Sequence, residues 1–214
     1  MTDPVPVNDM PTSKYADDKS FDIVSSSGNY LPRIQLFGGN SGPAKEGKIG
    51  IGRWGFVKGD SIIDLTPEFN CLCVSWRPKA MRISGDQIVS SFNPQNPMFK
   101  KIQVDSEIKD SGCMFGPEYL LWVAGLGKFA TLFMSSKTMR KEAPNLKALL
   151  GQAATLKVKF IKTIKYSWHG PVVTVCSTPL TNLPSEAEVR EQASIFCNPP
   201  ESGIEAATTA SRET

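Results

Sequence analysis

Histidine is nearly missing from this chain: His169 is the only one in 214 residues. Catalytic triads and most catalytic zinc sites draw on histidine, so its scarcity argues against hydrolytic and zinc chemistry and leaves no catalytic residue to name. Cysteine is also sparse. Cys71, Cys73, Cys113, Cys176 and Cys197 are odd in number and scattered, which does not fit a disulfide framework. Cys71 and Cys73 fall two apart in a strand-like run and share a face. No second pair follows at zinc-finger spacing, so buried free thiols are expected and no metal or other cofactor. No run of 18 apolar residues exists, so no membrane span is expected. The first 20 residues carry Asp3, Asp9, Asp17 and Asp18 without an apolar core, unlike a secretory or transit peptide. A cytosolic protein is expected. Internal repeats and heptad runs are absent as well.

What the chain does have is charge concentrated in one place. Lys128–Lys165 holds nine basic residues and one acid, Glu142, a net of +8 in a protein whose total is +3. Phe129, Phe133, Phe160, Tyr166 and Trp168 lie within or just beyond it. Cations pair with phosphates and aromatic faces stack on unpaired bases, so this pattern predicts a single-stranded nucleic-acid groove. The competing reading is a solvated lysine face above a core of aromatics.

The chain suits one domain with tails. Residues 1–29 are polar and proline-bearing and are expected to form a flexible arm; residues 30–180 form the folded unit; residues 181–214 form a polar, mildly acidic tail. Within that tail, Ser185 and Glu188 spell a capping box for a short helix, and the end after about residue 198 is expected to be disordered. In the folded unit, strands are expected at Arg33–Phe37, at the glycine-spaced Lys48–Lys58, at Ser61–Leu65, across Cys71–Ile83 with a break at Pro78, and at Ile88–Phe92. Asn93–Asp110 reads as an insertion with a helix from Met98 to about Glu107. Ala124–Gly127 signals a hairpin. Lys137–Gln152 carries a helical stripe packed by Leu146, Leu149 and Leu150, its first turn separate or kinked because of Pro144, and is ended by Gly151. Leu156–Trp168 alternates as a long strand, with a turn expected at His169–Pro171 and a return over Val172–Cys176. A mainly β fold with helices follows: an antiparallel barrel of the oligonucleotide-binding (OB) type, with one helix inserted before its last two strands, the alternative being a mixed α+β sheet sandwich.

Candidate binding residues combine cations with neighbouring aromatics. Arg53, Trp54 and Phe56 lie on one strand, and Trp76, Arg77, Lys79 and Arg82 on another. Lys128, Lys137, Arg140, Lys141, Lys157, Lys159, Lys165, Tyr166 and Trp168 come from the basic stretch. On an open barrel face each aromatic would stack a base, worth ~1–3 kcal/mol. Lys157, Lys159 and Lys165 are expected to form a charged track opposite Leu156, Val158 and Phe160. Gly42–Ile49 nearly spells a phosphate-binding loop, but Ile49 replaces the magnesium-binding hydroxyl and a strand, not a helix, is expected next. The acids Asp60, Asp64 and Glu68, and Asp105, Glu107 and Asp110, lack the partners a nuclease would need and read as solvated loops.

Pro32–Leu36, Gly112–Glu118 and Trp168–Pro171 resemble segments of proteins encoded in tailed-bacteriophage genomes, a group without an assigned activity. In layout, a basic barrel before a polar acidic tail, the chain is similar to phage single-stranded-DNA-binding proteins. The resemblance implies sequence-tolerant, non-catalytic single-stranded DNA binding in phage replication or recombination, in the cytoplasm of an infected host. It leaves room for a homo-oligomer and for replication proteins recruited through the C-terminal tail. The tail departs from the usual pattern by ending Arg212-Glu213-Thr214 rather than in an aromatic. The alternative is a phage interaction protein, in the particle or bound to a host factor.

Overall fold

The structure, a computed structural model, describes residues 13–14, 31–65, 67–85 and 87–198. The arm expected at 1–29, apart from Ser13 and Lys14, and the end after 198 lie outside the described residues.

Strands β1 (Ser13–Lys14), β2 (Arg33–Phe37), β3 (Arg53–Lys58), β4 (Ser61–Asp64), β5 (Glu68–Ser84), β6 (Gln87–Ser91), β7 (Cys113–Val123), β8 (Lys128–Phe133), β9 (Ala153–Lys162) and β10 (Ser167–Val175) form one sheet. Its main path runs β1-β6-β5-β7-β8-β2-β3-β4, and β9 and β10 branch from β5. Neighbours are antiparallel except β2 and β8, which run parallel. The helices are α1 (Gly42–Lys45), α2 (Pro97–Asp105), α3 (Lys137–Lys147) and α4 (Glu186–Cys197).

The expected closed antiparallel barrel is replaced by an open mixed sheet, and β5 is the reason. It spans 17 residues. One of its edges serves β7 from Cys71 to Arg82, while the other serves β9 at Glu68–Leu72 and β6 at Ala80–Ser84. A shared edge fans the sheet out instead of closing it. Among the described residues, β4, β1 and β10 each have a neighbour on one side only.

The expected break at Pro78 does not occur. Pro78 faces Pro117 across the β5–β7 ladder. Directly opposed residues of an antiparallel pair can both turn their N–H positions outward, so neither proline removes a bond between these strands. Pro78 also lies in the gap between the β9 and β6 pairings, and Pro117 lies just beyond the β8 ladder.

One sheet face carries the main core. Ile34, Phe56, Cys71, Cys73, Tyr119, Leu121, Leu132 and Leu156 meet Ala143, Leu146 and Leu149 from α3 and the turn after it. The α3 helix begins at Ser136, whose side chain accepts from the Met139 N–H, and it runs through Pro144 without a break. Its carbonyls take the buried donors beneath it: the Tyr119 hydroxyl donates to the Ala143 carbonyl at 2.7 Å, and the Cys73 thiol to that of Leu146 at 3.6 Å. On α2, Phe99 and Ile102 pack on Ala80. On the opposite face, Phe37, Ile49 and Val57 form a smaller cluster, and α4 caps the middle of β5.

The turn between β9 and β10 is not at His169–Pro171. Those residues lie inside β10, paired with Val158, Lys159 and Phe160. The chain reverses at Thr163–Tyr166, where the Thr163 N–H donates to the Tyr166 carbonyl at 2.7 Å and the Thr163 hydroxyl accepts from the Tyr166 N–H at 3.1 Å. Gly170 is needed for close approach rather than for turning: a Cβ there would lie 2.6 Å from Cγ2 of Thr138 on α3. With Pro171 removing one donor and the Glu142 carboxylate accepting from the Val173 N–H at 3.3 Å, α3 blunts the outer edge of β10.

Candidate nucleic-acid interface

The sixteen candidate residues divide into buried, paired and free groups. Trp54 and Phe56 are core side chains, and Trp54 meets Phe69 edge-on at 5.7 Å. Strand alternation turns both toward α3's side of the sheet, so neither can stack on a base. Trp76 is half-buried against the same core and carries the Lys147 ammonium 3.8 Å above its ring. Arg53 is half-buried at the start of β3.

Arg77 and Lys79 are committed internally. Lys79 donates to Glu118 at 2.6 Å, and Arg77 makes a 2.8 Å bond from Nε and a 2.7 Å contact from Nη2 to the other carboxylate oxygen. Burial would raise the Glu118 pKa, but the charges of Lys79 and Arg77 overcome this and hold it to about 2. Burial pulls the Lys79 pKa down, against the attraction of Glu118. The guanidinium of Arg77 lies between two aromatic rings, 3.7 Å from the centre of Phe92 and 4.2 Å from that of Phe196. Glu118 is 41 residues from Arg77 in sequence, which hid this pairing from sequence reasoning.

Of the α3 cations, Lys137 and Arg140 both pair with Glu107, at 2.9 and 2.8 Å. Arg140 also donates to the Phe115 and Ser135 carbonyls, so it ties α3 to the insertion. Lys141, Arg82 and Lys128 are exposed. Cys71 and Cys73 are free, buried thiols, and burial pushes the Cys73 pKa up to about 12. The near-phosphate loop holds only the four-residue α1, and Lys48 pairs with Glu46 at 2.8 Å.

The remaining candidates gather on the outer half of the β9–β10 hairpin. Phe160 is 56% exposed, Tyr166 72% and Trp168 37%, and Ile164 at the turn is fully exposed. Lys157, Lys159, Lys162 and Lys165 are all exposed, and residues 157–168 contain no acid. The ladder sets the faces. Lys157, Lys159, Ile161 and Trp168 share one side; Phe160, Lys162, Ser167 and His169 share the other. Lys165 therefore leaves the expected track, because it sits in the turn, and Lys157 approaches Glu68 at 3.4 Å.

The hairpin is braced close to its turn. The indole N–H of Trp168 donates to Thr138 Oγ1 at 3.2 Å, and His169 packs by Phe160 with ring centres 5.1 Å apart. Thr138 stands between Lys137 and Lys141 on α3, so these two cations neighbour the Trp168 side of the arm.

Sequence alternation assigned Phe160 to the core, and the structure exposes it; Lys162 and Ile164 were passed over. The available signal was the break of alternation at Lys162 within an acid-free run. Among the described residues no helix is long and apolar enough to cross a membrane. A scan against family models, a search of curated proteins and a search of solved structures each return no match.

Proposed function

We propose that the protein binds single-stranded nucleic acid, without catalysis and with little sequence preference, through the β9–β10 arm and the adjoining end of α3. The observation that carries this reading is the union of exposed Phe160, Tyr166 and Trp168 with four lysines and no acid between residues 157 and 168. Stacking platforms need exposed rings, and backbone tracking needs exposed cations beside them; among the described residues Lys159, Lys162 and Lys165 carry no ion pair, and Lys157 would exchange its contact with Glu68 for a phosphate. Lys157 and Lys159 are one strand repeat apart, ~6.6 Å, close to the phosphate step of an extended strand. The expected groove on Trp54, Phe56 and Lys79 is dropped, because those side chains are buried. The reading does not require a closed OB-type barrel. A place in phage replication or recombination, in the cytoplasm of an infected cell, follows from the sequence resemblance.

A second reading, a protein-docking arm, is favoured by one observation: the tip residue, Ile164, is apolar and fully exposed. Fluorescence anisotropy separates the two. Labelled dT oligomer should bind more tightly than duplex DNA of equal length, and Tyr166→Ala with Trp168→Ala should abolish most of the difference. No binding, or a preference for duplex, would move the docking reading ahead.

A further inference from the structure

The underside of α4 carries a charge imbalance. Arg77 and Lys79 share the single carboxylate of Glu118, leaving one positive charge over in the cluster. The C-terminal end of α4 lies against this surplus: Arg77 Nη1 donates to the Phe196 carbonyl, and the guanidinium stacks on the Phe196 ring at 4.2 Å. A helix C-terminus carries partial negative charge, so α4 occupies the place an anion would take. Its hold is narrow. Phe196 is the only buried residue of the helix, while Glu186, Glu188, Arg190 and Glu191 face solvent. The connection before it, residues 177–184, has no helix or strand and is largely exposed.

We propose that Arg77, Lys79, Phe92 and Phe133 form a second, covered site for the phosphate and base of a single strand, with α4 as its displaceable cover. This rests on the single-strand reading and extends it. Lifting α4 frees one face of the Arg77 guanidinium and the bond now given to Phe196. Lys79, whose ammonium lies 5.0 Å from the Phe133 ring centre, stays paired to Glu118 and supplies field rather than contact. The surplus charge then needs an anion, and a nucleic-acid phosphate beside an aromatic ring meets that need.

A disulfide lock on the full chain tests this. Ser75 Oγ lies 3.4 Å from Cys197 Sγ, so Ser75→Cys puts two sulfurs within bonding reach across the α4–β5 contact. Peptide mapping of the oxidised variant confirms the bond. Oxidised S75C should bind labelled dT oligomer about tenfold more weakly than its reduced form, the scale of one lost stacking contact. Phe196→Ala, which loosens the cover, should bind more tightly than wild type. Equal affinity of locked, reduced and Phe196→Ala proteins overturns the covered site and leaves the arm standing. No binding by any of them overturns both. Binding seen only with Phe196→Ala supports the covered site and removes the arm.

Discussion

At the scale of single residues, Glu118 sets the terms for one half of the sheet. Among the described residues it is the carboxylate that pairs with both Lys79 and Arg77, and all three sit between β5, β7 and α4. Breaking a buried charge group by removing one partner costs more than the group contributes, because the stranded charge stays desolvated. Glu118→Gln should therefore lower stability by about 3–5 kcal/mol in urea unfolding. Lys79→Met should cost clearly less, since it leaves Arg77 with its carboxylate and puts an apolar chain beside Phe92 and Phe133. The same carboxylate gives a pH signature. Its folded-state pKa of about 2 lies below the ordinary 4.5, so its contribution is complete above pH 4.5 and is lost as the pH falls toward 2. Wild-type melting temperature should drop through that window. In Glu118→Gln this part of the drop should vanish; a drop of the same size in the variant would place the titration elsewhere.

At the scale of elements, the β9–β10 hairpin depends on Gly170 lying under Thr138. Gly170→Ala should destabilise the protein by about 1–3 kcal/mol, as overpacking does. Thr138→Ser deletes the clashing Cγ2 and keeps the hydroxyl that accepts from Trp168. The double variant should then recover part of the loss, a coupling that a urea double-mutant cycle measures directly. Elements with strong local signals were legible in the sequence: α3 from its apolar stripe, α4 from the Ser185–Glu188 capping box, and the β7–β8 hairpin from Ala124–Gly127. The β9–β10 turn was not. Thr163–Tyr166 contains no glycine or proline, while Gly170-Pro171 carries the louder turn signal for a reason of packing. The site divides in the same way. Lys157, Lys159, Tyr166 and Trp168 of the arm could be read from local order, but the exposure of Phe160, the burial of Trp54 and the Arg77–Glu118 pairing are set by packing between segments distant in sequence.

At the scale of the whole molecule, an open sheet whose long β5 divides one edge between two neighbours lets a hairpin branch away from the main path. This explains how β9 can be buried over Ala154–Leu156 and end in solvent at Lys162. It also concentrates positive charge on the arm. The chain as a whole carries only +3, yet residues 157–168 alone carry +4. Binding through the arm should then respond to salt by the number of phosphates those lysines neutralise, not by net charge. Each adds about −0.7 to the slope of log K against log[salt] on a single strand, so engagement of all four predicts a slope of roughly −3. Replacing Lys157, Lys159, Lys162 and Lys165 by Gln should remove most of the slope and leave only the share of the α3-end cations. Stability should change by no more than about 0.5 kcal/mol per site, since all four side chains are exposed. A slope that stays near −3 in the variant would place the phosphate contacts on other cations, with Lys141, Arg82 and Lys128 the next to be replaced.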